Sequence, residues 1–471
     1  KRAMINVDAE LSREGLRSRV LLQVHDELVV EADGRYMNTG EGLHRFVDPV
    51  DQEVYLYTQY EPADARRVFP DFEQPDLKAA FTFSLTGPED WVLASNRPEV
   101  SRTPAGDGVV RAEFAPTLPQ STYITTLLAG PYAQWEDAWD GHPASGAQAV
   151  PLRLFTRRTM ADAFDPEAVF DVTKRGLTFF HDLFGVAYPW GKYDQAFVPE
   201  YNLGAMENPG LVTFTEDFVF TSRATAVQYE GRANVILHEM AHMWFGDLVT
   251  MKWWDDLWLK ESFADYMGAL GVDEATDFRT AWVTFASRRK AWAYVQDQMP
   301  TTHPIVADIV DLEAARQNFD GITYAKGASV LKQLVAYVGL DAFLAGLRDY
   351  FRDHAFGNAT FGDLLGARFH RGVGPVERMQ DDVGLCAGGG QQQGQRDQQQ
   401  LVSALPERAW TGARGGVHRV CLLISGRTHP AQRCMQQCPP APVPESAPHG
   451  VRRAVMLSAH RGAALTLCIR I

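Results

Sequence analysis

Apolar and polar positions alternate through the first third of the chain and then change period. VYLYTQY at 54–60 places Val54, Leu56 and Tyr60 against Tyr55, Tyr57 and Gln59, and Phe81, Phe83 and Leu85 alternate with Thr82 and Ser84. A period of two marks half-buried strands, and the turn clusters at 87–90 and 104–108 separate them. An antiparallel β-sheet domain is predicted over 34–151. After Pro151 the period lengthens: helices are predicted over 223–245, 256–270, 322–338 and 342–354, preceded by a β-and-loop stretch at 193–220, with Gly246 and Gly339 as C-terminal caps. Residues 1–33 hold an amphipathic helical pattern and then LLQVHDELVVEA, which reads as strand, tight turn, strand around His25, Asp26 and Glu27. Beyond Gly366 periodicity fades into a glutamine-rich run at 391–400 and Arg-, Pro- and Ala-rich sequence. Residues 367–471 are therefore expected to be disordered. The fold class is α+β and multidomain, with divisions at 1–33, 34–151, 152–366 and 367–471.

Composition sharpens these divisions. The chain is 45% hydrophobic and 22% charged with a net charge of −14, and it has no apolar run of membrane-spanning length. An acidic balance argues against nucleic acid as a partner. The tail is different in kind: it is arginine-rich with no lysine, and it holds all five cysteines, Cys386, Cys421, Cys434, Cys438 and Cys468. Their odd number and irregular spacing fit no disulfide framework, and Cys434 and Cys438 lack the second pair a metal knuckle needs. An out-of-frame origin is the expectation for this tail. No secretory signal is apparent, so a cytoplasmic location is expected, as is a monomer that binds no membrane.

Chemistry is concentrated in ANVILHEMAHMWFGD at 233–247. On a helix His238 and His242, four apart, share a face and can bind one zinc ion, while Glu239 is turned to the side, where it can reach the attacking water without ligating. HExxH also arises by chance on ordinary amphipathic helices, so a third ligand decides. The metzincin pattern is excluded, because Phe245 and Leu248 occupy the positions of its glycine and histidine. Glu261 follows in LWLKESFADYMGAL, an expected amphipathic helix with Asp255 and Asp256 as capping candidates. A second helix could thus complete a His2Glu site, with Asp265 one turn later as hydrogen-bond acceptor for a ligand histidine.

HEMAHMWFGDLVTMKWWDDLWLKESFA resembles the gluzincin core of the M1 aminopeptidases, and YNLGAMENPG at 201–210 contains that family's GAMEN block. The similarity runs from about Asp33 to Gly366 and includes YTQYEPADARRVFPDFEQP at 57–75. The resemblance implies a truncated β-sheet N-terminal domain followed by a thermolysin-like, mainly helical zinc-peptidase domain. It further implies one Zn2+ per chain on His238, His242 and Glu261, with Glu239 as general base and Tyr324 stabilising the oxyanion. Glu207 and Gln59 would recognise a free N-terminus, and Gly204, Ala205 and Met206 would line the peptide. Peptide substrates with a free N-terminus are the implied partners. The alternatives are a catalytically impaired zinc-binding fragment and a gluzincin endopeptidase, which would have no reason to carry GAMEN. Residues 20–31 separately resemble the palm motif of bacterial DNA polymerase I, where the aspartate matching Asp26 helps hold magnesium. Without the other carboxylates and the basic helix of a polymerase, a solvated hairpin is the reading, and 1–33 is expected to be foreign to the enzyme.

Overall fold

A computed structural model describes the backbone of residues 19–24, 27–142, 147–367, 417–425 and 464–470, with side chains within 34–142 and 147–367. The strands of the N-terminal part are β1 (Arg19–Val24), β2 (Glu27–Arg35), β3 (Gly42–Val47), β4 (Val54–Gln59), β5 (Ala80–Pro88), β6 (Val92–Ser95), β7 (Glu99–Gly106), β8 (Val109–Phe114) and β9 (Leu127–Gly130). Strands β1 and β2 form an antiparallel hairpin where the sequence reads strand, turn, strand. His25 and Asp26 lie outside the described residues. Strands β3, β4, β9 and β6 make a four-stranded sheet in the order β3-β4-β9-β6. Its inner face packs Leu43, Leu56, Leu127 and Ala129 against Phe81, Phe83, Leu85, Ala112 and Phe114 of a second sheet. Alternation along β5 is what sends the two phenylalanines into that core.

The four-stranded sheet is buried on both faces. Tyr55 and Tyr57 point away from Leu56 and join Ala196, Val198, Met206, Met251 and Trp254 of the following domain in one cluster. Strand β4 therefore spans the interface, and its C-terminal end brings Gln59, and Glu61 just beyond it, to the site described below.

The second domain is built on β10 (Ala133–Trp139), β11 (Val150–Thr156), β12 (Tyr193–Val198), β13 (Ala205–Met206) and β14 (Leu211–Thr215), in the order β10-β11-β12-β14-β13. Strand β10 already belongs to this sheet, ahead of the division at 151 that the change of period suggests. A two-stranded ladder joins β15 (Thr250–Met251) and β16 (Asn358–Ala359). The long helices are α1 (Pro166–Phe184), α2 (Ala226–His242), α3 (Trp258–Ala275), α4 (Gly327–Val338) and α5 (Leu340–His354). None of the described helices is by itself long and apolar enough to cross a membrane.

Four sequence expectations about the helices need correction. Helix α1 is absent from the helices read above, although Pro166 at its first turn and Gly185 at φ +65° after its end are ordinary start and stop signals. Helix α3 is not amphipathic: every residue from Trp258 to Val272 is buried, because it runs through the centre of the domain. Neither Asp255 nor Asp256 caps it; Asp256 instead accepts hydrogen bonds from Phe361 N–H (3.0 Å) and Trp258 Nε1–H (3.3 Å). Gly339 does stand at the C-terminus of α4, but α2 ends at His242, before Gly246.

The tail also departs from expectation in two places. Val417–Ser425 (β17) and Ala464–Arg470 (β18) complete a seven-stranded sheet, β1-β2-β17-β18-β5-β8-β7, with β17 antiparallel to β2 and β18 parallel to β5. VHRVCLLIS and ALTLCIR are short aliphatic runs, and the edges of β2 and β5 offer rows of backbone donors and acceptors for them to pair with. The glutamine run and Cys386, Cys434 and Cys438 lie outside the described residues.

Candidate metal centre

Helix α2 starts with a capping box, in which Thr225 and Gln228 satisfy each other's backbone N–H groups, and it carries His238 and His242 in its last turns. Its approach to α3 is set by Gly268, where a methyl group would lie 3.2 Å from the His238 backbone nitrogen. A larger residue would push the helices apart at the level of the ligands. With glycine there, Glu261 on α3 meets both histidines.

The three donor atoms form a near-equilateral triangle. His238 Nε2 and His242 Nε2 are 3.1 Å apart, and each is 3.4 Å from Glu261 Oε2. Ligands bound to zinc at about 2.0–2.1 Å with tetrahedral angles lie roughly 3.3 Å from one another, so these residues fit a single zinc ion with a fourth direction open. One further contact orients a candidate ligand. His242 Nδ1–H donates to the Phe245 carbonyl at 2.9 Å, which leaves Nε2 free to ligate. His238 Nδ1 faces Asp265 Oδ1 at 3.6 Å, longer than a hydrogen bond, because Arg289 holds that carboxylate through both oxygens at 2.6 and 3.1 Å. Burial works against a charged His238, but Asp265 and Glu261 outweigh it and lift its pKa to about 10.

Glu239 lies beside the triangle: its carboxylate, that of Glu207 and a His242 ring nitrogen fall within 4.8 Å of one another. Burial raises the Glu239 pKa to about 7, with the two histidines opposing the shift. Glu207 follows β13, the outermost strand of its sheet, in which Ala205 pairs with Phe214 and Met206 with Thr213. Gly204 precedes this strand with open space around it, and Met206 is buried. Gln59 reaches the same strand, donating from Nε2 to Met206 Sδ at 3.7 Å and accepting from Tyr201 Oη at 2.5 Å. Tyr324 stands on a π-helical turn, Ile322–Lys326, with its ring nearly parallel to that of His238 at 6.1 Å between centroids. The structure thus gathers His238, His242, Glu261, Glu239, Glu207 and Tyr324 around one point, with Gln59 and Asp265 one contact further out.

Two residues that the sequence did not single out are central here. Lys260 Nζ lies 2.6 Å from an oxygen of Glu61, of Glu207 and of Glu261, and its side chain is 1% exposed. Glu261 therefore divides its carboxylate, Oε1 toward Lys260 and Oε2 toward the histidines. Burial tends to raise Glu261, but Lys260 and the histidines hold it well below the usual carboxylate range, whereas burial pushes Glu61 well up. Spacing offered no signal for Lys260 or Glu61, since the lysine adjoins a ligand and Glu61 comes from the other domain.

Comparison with known proteins gives this geometry a context. The family model for the peptidase M1 N-terminal domain matches residues 11–124, beginning inside the segment 1–33 that the sequence sets apart, and that for the peptidase family M1 domain matches residues 168–378. The chain is 54% identical to an aminopeptidase N of Streptomyces lividans over 74% of its own length and 40% of the relative's. It is 34% identical to a probable aminopeptidase 2 of Sulfurisphaera tokodaii, covering 75% of this chain and 44% of that protein. A tricorn protease-interacting factor F2 of Thermoplasma acidophilum is 32% identical over 76% of this chain and 44% of its own length. The chain thus spans less than half the length of these relatives. Two domain models in the order of the family, over a site of this geometry, place the chain in peptidase family M1.

Proposed function

We propose that this chain is a zinc-dependent aminopeptidase, removing single residues from the free N-terminus of peptides. The observation that carries the reading is the triangle of His238, His242 and Glu261 with the carboxylates of Glu207 and Glu61 beside it. When bound, zinc supplies positive charge that polarises a scissile carbonyl and makes water a better nucleophile at neutral pH. Glu239, with its pKa near 7, accepts the proton of the attacking water and returns it to the departing amine. The Tyr324 hydroxyl donates a hydrogen bond to the oxygen on which negative charge develops, a contribution commonly about 3–4 kcal/mol.

Recognition of the N-terminus falls to the acidic wall. Glu207 and Glu61 present oxygens to a substrate ammonium, and Lys260 between them keeps the cluster from repelling itself apart. The free edge of β13 supplies backbone groups that an extended peptide can pair with. An endopeptidase needs no such wall, and its presence favours exopeptidase action. The test compares an unblocked alanyl arylamide and its N-acetylated form: the free form is expected to turn over at least a hundredfold faster, and equal rates would overturn the aminopeptidase reading.

A further inference from the structure

Tyr324 lies on the π-helical turn Ile322–Lys326. Such turns are rare, occur mostly as single-turn bulges and are frequent at functional sites. Here the anchors are numerous. Asp320 Oδ1 accepts from Ile322 N–H (2.9 Å) and Thr323 N–H (3.1 Å), and the Asp320 carbonyl accepts from Tyr324 N–H (3.0 Å). The Gln296 side-chain oxygen accepts from Gly321 N–H, and Ser262 Oγ donates to the Thr323 carbonyl at 2.5 Å. Ser262 directly follows Glu261, so this last bond couples the turn to the metal-ligand helix.

The remaining Asp320 oxygen, Oδ2, faces His303 Nε2 at 3.1 Å, while His303 Nδ1 faces the Pro304 carbonyl at 2.7 Å. Both ring nitrogens meet oxygen acceptors. A neutral imidazole has one proton and satisfies only one of them, whereas the imidazolium satisfies both. We infer that His303 is a positioning residue, whose imidazolium fixes the Asp320 carboxylate and thereby holds the Tyr324 hydroxyl in register with the metal centre.

The charged groups around His303 agree with this assignment. Burial and Lys326 oppose its protonation, but the hydrogen bonds to Asp320 and to the Pro304 carbonyl, with the Asp320 charge, raise its pKa above the ordinary value. Asp297, which pairs with Lys326 at 2.6 Å, also senses the His303 charge. Since the folded value is raised above about 6.5, the clamp is complete below that pH and is lost as pH rises through the folded value. Turnover should then decline on the alkaline side without a matching rise in KM.

This inference rests on the role proposed for Tyr324, so its test includes that residue. Turnover of an unblocked alanyl arylamide is measured from pH 5.5 to 9.5 on the full zinc-loaded chain. The variants are His303→Gln, Tyr324→Phe and the double variant, with zinc content and Tm as controls. His303→Gln is expected to lower kcat about tenfold near neutral pH, with KM within about twofold and zinc content unchanged, and to remove the alkaline decline. In the Tyr324→Phe background the same change should alter kcat by less than about twofold, because its effect passes through the tyrosine. Asp320→Asn, which preserves a capping oxygen but not the ion pair, should reproduce the loss in kcat and serves if the glutamine variant does not fold. Equal losses in both backgrounds, or an unchanged pH profile, would overturn the inference. Full activity of Tyr324→Phe would instead overturn the oxyanion role on which it rests.

Discussion

Lys260→Met removes the only ammonium within contact distance of Glu61, Glu207 and Glu261 among the described residues, while preserving the bulk of the side chain. All three contacts are 2.6 Å and the lysine is 1% exposed, so water cannot replace the lost charge. Removing one partner of a buried ion pair costs about 3–5 kcal/mol. The escape route gives a similar figure: keeping one carboxyl protonated at pH 7 against an ordinary value near 4.3 costs about 3.7 kcal/mol. Zinc-loaded Lys260→Met should therefore melt roughly 6–20 °C below the parent at pH 7. The deficit should shrink toward pH 5, since the unpaired carboxyls in the folded variant have raised values and are stabilising when protonated. Thermal unfolding followed by circular dichroism at both pH values measures this. A variant that melts within about 2 °C of the parent at pH 7 would show that the lysine does not neutralise the acidic wall.

Glu207→Ala should raise KM for an unblocked arylamide about tenfold or more, the value of a charge-assisted hydrogen bond, and narrow the preference over the N-acetylated form; steady-state kinetics on both substrates decides. In the N-terminal domain, burial pushes Asp71 up to about 7, and burial together with the neighbouring Asp71 charge pushes Glu73 up to about 9. Both values lie above those of the unfolded chain, so this pair supports the fold at acidic pH and loses its contribution as pH rises through 7 to 9. Glu73→Gln retains an oxygen for Arg66 N–H, now 2.7 Å from Glu73 Oε1, and should raise Tm relative to the parent at pH 9 but not at pH 5.

What could be read in the sequence follows from how local each feature is. The His238–His242 pair depends on helical spacing alone, and GAMEN is contiguous, so both were visible before any fold. The acidic wall was only half visible: Glu207 sits inside a motif, whereas Glu61 arrives from the other domain along β4 and Lys260 matters only because two domains meet around it. Arg289, which takes the Asp265 oxygens expected for His238, is 24 residues away in sequence and follows no spacing rule. The burial of α3 on all sides was hidden for the same reason, since Lys260, Glu261 and Asp265 suggest one polar face for the helix and the groups that cover it come from distant parts of the chain. Strands β17 and β18 were masked by the composition around them, although each is a plain aliphatic run that an unpaired sheet edge can recruit.

The central claim is that His238, His242 and Glu261 hold a zinc ion beside a general base, Glu239. The most direct measurement is zinc content together with turnover of an unblocked alanyl arylamide, on purified parent and Glu239→Ala. One zinc per chain is expected in both proteins, with a fall in kcat of about a thousandfold or more in the variant, the loss expected of an essential general base acting with the metal. Turnover by Glu239→Ala comparable to the parent, or a parent that is active after complete removal of zinc, would contradict it.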